Sequence, residues 1–425
     1  MPGAIEQIST SANGILKRRP QLAVATDGTV YAVWEENTEG SLSTNNGYNL
    51  YLAYRPAAGP WSAPVLIPAT DRTRWPAGTF PYVNDWYPQI ALDTSGNLHV
   101  SYTSRYLPSS GTTQTGLYYL VAKAANTGAP LWTTPMRVDI DANVLYHPDD
   151  NRIFVKSDGG ATTDSTTYAL WTGTSGSRTY LSRVQYSNIG HTTSLLDNPP
   201  LTNPGTAANS TPVSAGPVGI NQIDTTNLQL VYASKNTPNG GNAIHTANFD
   251  TVSVTWSPAS TFAGNLADGC SAAGCPGATT SRDGVLTSWF AANWDTASPS
   301  VHRIQVTMNN GASSSVFIEH AGLSTRAPVA VYESISDKLV VLYNSCTYVS
   351  SASCTGRDIW YRTFDGATWS SPVLLSPATG EQLDIVAVAP GQTVGGTNGA
   401  VHVAWQNQAT STNIHVQYQV IGITP

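Results

Sequence analysis

Three arginines and a tyrosine recur at one kind of place in this chain. Arg19, Arg152 and Arg326 stand just before, or at the start of, an apolar run, and Tyr87 stands there in another. A guanidinium fork pairs with planar anions, so such arginines gathered at one mouth would suit a carboxylate or a sulfate. Glu35 and Glu36 offer the plainer role for them, because arginines drawn away from water are normally ion-paired. The segment from Pro68 to Tyr87 is dense in charges and aromatics, with Trp75, Asp85, Trp86 and Tyr87 among them. Aromatics in a long loop have less structural excuse than aromatics in strands, so this segment is read as ligand-contacting.

Proton-transfer chemistry has weaker support. His147, in Tyr146-His147-Pro148-Asp149-Asp150, could act as a base beside Tyr87 while Arg19 neutralises a neighbouring carboxylate, which is what elimination from a uronate requires. Its plainer reading is a loop residue before a proline. Glycoside hydrolysis needs two carboxylates flanking one bond. Asp85, Asp149, Asp150, Glu35 and Glu36 are candidates, but sequence does not pair them. Asp139-Ile140-Asp141-Ala142-Asn143 opens like a Ca²⁺ loop yet lacks the later Gly and Glu, so no metal or other cofactor is expected, with Ca²⁺ the one exception left open. P-loop, dinucleotide, HExxH and GxSxG motifs are absent.

The elements that must position these residues are strands. Seven strand-like runs end in an aromatic: Trp34, Tyr102, Trp171, Tyr232, Trp289, Tyr343 and Trp405, spaced 68, 69, 61, 57, 54 and 62 residues apart. A period of this size without helical patterning marks a β-propeller. The expected fold is therefore all-β, a seven-bladed β-propeller of four-stranded antiparallel blades in one domain, 1–425. The blades fall at about 15–70, 85–140, 147–205, 211–262, 276–320, 325–377 and 382–425. In blades one, two and six the first strand is read as starting at Pro20, Pro88 and Pro328, and in blade five as Ala278-Thr279-Thr280. The last blade lacks a fourth strand, and residues 4–8 are expected to supply it and close the ring. Turns such as Thr26-Asp27-Gly28 are short, whereas the loops of the opposite face are long, and function is expected there.

Composition narrows the class. Charged residues are 11% of the chain and the net charge is −7 with no basic run, which argues against nucleic acid as a partner. No apolar stretch is long enough to span a membrane, and Met1-Pro2-Gly3 does not open a signal peptide. Of the four cysteines, Cys270 and Cys275 bracket one short polar loop and Cys346 and Cys354 another. Three pairings are open; pairing within each loop is the simplest, and it places the protein outside the reducing cytosol. Neither spacing is that of a zinc site.

Several pieces resemble a known superfamily. Arg19-Pro20, with the apolar run from Leu22 to Val24, is similar to the first-blade Arg-x-Pro segment of sialidase-type propellers. Phe364-Asp365-Gly366-Ala367-Thr368-Trp369 resembles a degenerate Asp-box turn. Trp61-Ser62-Ala63-Pro64 and Trp369-Ser370-Ser371-Pro372 resemble the repeat consensus. The resemblance implies the fold and contact with a glycan. The family's Tyr–Glu nucleophile pair and acid Asp have no motif here, so it does not imply sialidase activity. Bacterial propeller lectins and propeller polysaccharide lyases are the analogues for a seven-bladed count. The expectation is a secreted or cell-surface propeller, alone or within a larger surface protein or assembly, that recognises a glycan or another extracellular partner; a polysaccharide-active hydrolase or lyase is the alternative.

Overall fold

The computed structural model describes residues 2–11, 14–37, 47–68, 82–107, 114–123, 125–127, 129–138, 151–157, 165–173, 178–187, 190–195, 217–222, 224–234, 242–253, 255–257, 260–266, 278–282, 285–295, 302–309, 316–318, 323–350, 353–376, 380–391, 393–394 and 397–425. The side chains of some strand residues, Arg326 and Cys354 among them, fall outside this description.

The described strands form seven antiparallel sheets of four or five strands each. After a short strand β1 (Glu6–Gln7), the first sheet contains β2 (Lys17–Val24), β3 (Val30–Asn37), β4 (Tyr48–Arg55) and β5 (Val65–Leu66), in sequence order. The second contains β6 (Tyr82–Leu92), β7 (Leu98–Leu107) and β8 (Gln114–Lys123), with two short outer strands, Leu131–Trp132 and Met136–Arg137. Five further sheets begin at Asn151, Pro217, Ala278, Ser324 and Glu381. Central strands are buried on both faces, as β3 is throughout its eight residues, which is why Val-Tyr-Ala-Val-Trp shows no polar alternation. Among the described residues no helix is long and apolar enough to cross a membrane.

Two compact units share the chain. One comprises Met1–Glu6, Thr202–Thr410 and Tyr418–Pro425; the other comprises Gln7–Leu201 and Ser411–Gln417. Within each, neighbouring sheets bury apolar layers. Val33, Leu50 and Leu52 of the first sheet pack with Val100, Tyr102 and Leu120 of the second. Val340 and Leu342 of the sixth pack with Val403 and Trp405 of the seventh.

The Trp-Ser pieces have a shared physical role. The serine or threonine after each Trp accepts from a third-strand amide: Ser62 from Tyr54, Thr133 from Val121, Ser257 from Asn248 and Ser370 from Thr363, at 2.9–3.0 Å. Its own amide donates to the carbonyl of that same third-strand residue at 2.8–2.9 Å. The hydroxyl thus ties the approach to the fourth strand onto the third, and pairing resumes just after the proline, at Val65, Met136 and Val373. Asp365 organises the turn ahead of one such pair, accepting from the Ala367 and Thr368 amides at 2.8 and 2.7 Å.

Four expectations need adjustment. First strands begin upstream of their prolines, at Lys17, Tyr82 and Ser324, because the proline sits in a bulge and not at the strand end. The loop expected from Pro68 to Tyr87 is already strand from Tyr82. In the fifth sheet the first strand runs on to Arg282, past the expected Thr280. The segment between Cys346 and Cys354 is not a loop but the tip of a hairpin, Lys338–Ser350 against Ser353–Phe364. At the N-terminus, β1 pairs with the last strand, Ile414–Ile423, as its fourth-strand neighbour. The Gly3 amide donates to Val420 and that of Ile8 to Val416.

Candidate functional site

A β-bulge builds the site. In four sheets two first-strand residues oppose one second-strand aromatic: Arg19-Pro20 against Trp34, Tyr87-Pro88 against Tyr102, Ala327-Pro328 against Tyr343, and Asp384-Ile385 against Trp405. A bulge re-aims the extra residue, and a proline there removes no ladder hydrogen bond. Arg19, Tyr87 and Asp384 take φ of 51°, 51° and 50°, the left-handed region that bulky residues resist at a cost of about 1–2 kcal/mol each.

In the first and second sheets, both within one unit, this geometry converges on Glu35. Its carboxylate is fully buried. Arg18 Nε donates to it at 2.9 Å, Arg19 Nη1 at 2.9 and 3.3 Å, and the Tyr87 amide at 2.6 Å. Arg19 Nη2 donates to the Tyr87 hydroxyl at 2.8 Å while the same guanidinium lies 3.8 Å from the centre of that ring. Arg18 lies 4.1 Å over Tyr48, and Tyr48, Trp86 and Tyr87 form a run of stacked rings with centroids 6.2 and 6.1 Å apart. Asn84 fixes that run, taking the Gly47 and Tyr48 amides on its side chain and the Trp86 indole on its carbonyl. The side chains of Arg18 and Arg19 are 16% and 23% exposed, and Tyr87 is half-buried. Two guanidinium cations thus share this buried carboxylate beside a ring that reaches solvent.

Lys17 lies beneath this layer, fully buried, donating from Nζ to the Ile414 carbonyl at 3.1 Å. Burial pulls its pKa down, and Glu36, opposite it on β3, pulls the other way. Tyr48 is pushed up, chiefly by burial, against the opposing pull of Arg18. Asp85 is the anomaly. It is 1% exposed, and neither carboxylate oxygen has a hydrogen bond of acceptable geometry. Desolvation raises its pKa to about 7, and the hydroxyl of its cross-strand partner Ser104 pulls it back only in part.

The structure thus brings Arg19, Glu35, Trp86 and Tyr87 together, with Glu35 behind the arginines and not at the surface. Asp85 is buried one residue before Trp86. Arg152 joins through Asn151, whose Nδ2 donates to the Tyr87 carbonyl at 3.1 Å and whose own carbonyl accepts from Arg152 at 2.7 Å. Arg326 holds its strand position opposite Asn344 in the other unit. Trp75, His147, Asp149, Asp150, Cys270, Cys275 and the Asp139–Asn143 segment lie outside the described residues. Cys346 is buried and disulfide-bonded. Sequence reasoning missed Arg18, Tyr48, Asn84 and Asn151. Arg18 was findable, because it stands in direct register with Glu35. Among the described residues no group of three or more His, Cys, Asp or Glu could hold a metal ion.

No family model matches the chain, and no curated protein matches it by sequence. Among solved structures, it is similar to the polysaccharide lyase Uly1 at TM-score 0.53 and 9% identity, over 95% of this chain and 89% of that one. It is similar to a protein of unknown function from Dyadobacter fermentans at TM-score 0.50 and 12% identity, over 99% of both chains. The NanB sialidase of Streptococcus pneumoniae aligns at TM-score 0.48 and 13% identity, over 99% of this chain and 70% of that one. At such identities the likeness is one of fold, and with the four-stranded antiparallel sheets it makes this an all-β chain of propeller type.

Proposed function

We propose that this protein is a secreted propeller that recognises an acidic glycan at the Arg18–Arg19–Tyr87 cluster. The observation that carries the reading is two partly exposed guanidiniums held side by side by one fully buried carboxylate. A sugar carboxylate would meet their exposed edges, and a pyranose face would pack on the half-buried Tyr87 ring. The like-folded neighbour whose name makes it a polysaccharide lyase gives the glycan reading further support. Export to an oxidising compartment rests on the disulfide at Cys346. The seven sheets would form one closed ring with the N-terminal strand in the last blade, and Cys270–Cys275 and Cys346–Cys354 would be the disulfides.

A glycan array holding uronate-bearing and neutral oligosaccharides tests this. Arg19→Ala should weaken binding of acidic glycans roughly ten- to a hundred-fold, the worth of one charge-assisted contact, and the loss should shrink as salt is raised. Equal binding of neutral and acidic glycans, or no effect of Arg19→Ala, refutes the site. One observation favours a catalytic second reading. The Tyr87 hydroxyl, 2.8 Å from Arg19 Nη2, sits where a phenol and an anion clamp would serve elimination from a uronate. Release of unsaturated ends from uronate polymers by wild type, lost in Tyr87→Phe with binding retained, would establish it.

A further inference from the structure

In three sheets the first strand carries a charged or amide side chain two residues before its bulge, and in two of the three another charged or amide side chain faces it across the ladder. In the first sheet Lys17 faces Glu36, a matched pair of charges. In the seventh Gln382 faces Asn407 and donates to its side-chain oxygen at 3.0 Å. In the second sheet the position holds Asp85, which faces only Ser104. The carboxyl is buried, and neither oxygen has a hydrogen bond of acceptable geometry. The charged groups on the elements packed against β6 are Lys17, Arg18 and Arg19 on β2, Glu35 and Glu36 on β3, Arg55 on β4, His99 and Arg105 on β7, and Arg152 and Lys156 on the strand Asn151–Ser157. Among the described residues, the influences on Asp85 are burial and the Ser104 hydroxyl.

Position gives this group its consequence. Asn84 and Trp86 both contact β4, so strand alternation sends Asp85 to the opposite side of β6. Two residues on, the Tyr87 amide and hydroxyl are bound to Glu35 and Arg19. An ionised carboxylate without a partner costs several kcal/mol to bury, and the segment can shed that cost only by letting water in. The residue that water would release first is on the same short stretch as Tyr87.

We infer that Asp85 is a proton-operated latch on the Arg19–Tyr87 cluster: neutral, it lets residues 84–87 of β6 seat Tyr87 on Glu35, and ionised, it loosens that seat. The sign comes from a carboxyl whose pKa is about 7 when seated and 3.8 when open. The seat is tightest at acid pH, loosens about tenfold for each pH unit between 4 and 7, and loosens no further above 7. The latch concerns the cluster itself; its effect on ligand rests on the acidic-glycan reading.

Hydrogen exchange monitored by mass spectrometry tests it. The peptide covering 82–92 is tracked from pH 4 to 8.5 after correction for the intrinsic rate, with the peptide covering 398–408 as internal control. The expected result is a roughly tenfold rise in opening per pH unit up to 7 in the wild type. The control should lack this slope, and Asp85→Asn should abolish it. No slope in the wild type, or the same slope in the control or in Asp85→Asn, overturns the latch. If Asp85→Asn does not fold, the contrast between the two wild-type peptides decides. Galacturonate tetramer is titrated over the same range. Affinity that falls as pH rises towards 7 in the wild type but not in Asp85→Asn supports the latch as a gate on ligand. Binding without the exchange slope overturns the latch and leaves the glycan reading standing. The slope with no binding of any acidic oligosaccharide leaves the latch standing and overturns the glycan reading.

Discussion

Replacing Glu35 with Gln tests the keystone of the site. The substitution keeps size and one accepting oxygen but removes the charge that two arginines and the Tyr87 amide share at 2.6–2.9 Å. Breaking a buried ion pair from one side costs about 3–5 kcal/mol, because the cation left behind is uncompensated. Here the side chains of Arg18 and Arg19 are 16% and 23% exposed, so both can recover part of their hydration. The expected cost therefore lies at the lower end, about 3 kcal/mol. If the arginines were a surface pair the cost would be below about 1 kcal/mol. The assay is equilibrium urea unfolding of the wild type, Glu35→Gln, Arg19→Ala and the double variant. Removing Arg19 should cost far less in the Glu35→Gln background than in the wild type, with a coupling above about 1 kcal/mol. Coupling within about 0.5 kcal/mol of zero would mean that Glu35 does not hold Arg19 in solution, and the observation behind the proposed function would fall with it.

Asp85→Asn removes a carboxyl whose pKa rises from 3.8 to about 7, so the stability this group lends below pH 3.8 is lost as pH climbs to 7, by on the order of 4 kcal/mol. The variant should be the more stable protein above pH 7 and show no such slope. Taking the difference from the wild type cancels the opposite slope of His99, whose pKa burial lowers and whose contribution is lost as pH falls below 6.5. Wild type that outlasts the variant at pH 8 would refute the burial argument. Gly399→Ala should cost about 3 kcal/mol or more, since a Cβ there would land on the buried Glu333 carboxylate, which accepts from the Ile335 and Ser336 amides at 2.9 and 2.7 Å; an unchanged melting temperature would count against that packing. Mass mapping of a non-reduced digest should join Cys346 to Cys354, and reducing this short hairpin link should cost at most about 2–3 kcal/mol; a bond from Cys346 to any other cysteine refutes the pairing.

The aromatic period was legible, and at four of its seven positions it reports a backbone event. Trp34, Tyr102, Tyr343 and Trp405 each stand alone against two first-strand residues, so the large ring recurs where the ladder bulges. The same bulge made the strand starts illegible. A proline inside a strand pattern reads as the beginning of the strand, and the extra residue shifts the alternation, so Lys17–Arg19 and Tyr82–Tyr87 look out of phase with the apolar runs after their prolines. That is how Arg18 escaped notice although Arg19 did not. Burial of charge was illegible for a different reason. Lys17, Glu35 and Asp85 are polar letters near loops, and nothing local distinguishes a lysine bound to the Ile414 carbonyl from one in water. Glu35 was expected at the mouth beside its arginines, yet it stands fully buried behind them, and the partly exposed groups are the guanidiniums. Paired burial also explains why Asp85 stands out only in three dimensions. Its repeat partners, Lys17 and Gln382, are matched across the strand by Glu36 and Asn407, and an unmatched carboxyl becomes visible once the register aligns the sheets. Asp85 thus lacks the kind of cross-strand partner that Lys17 and Gln382 have, two residues before Tyr87, which the bulge holds in the left-handed region at a cost in backbone strain.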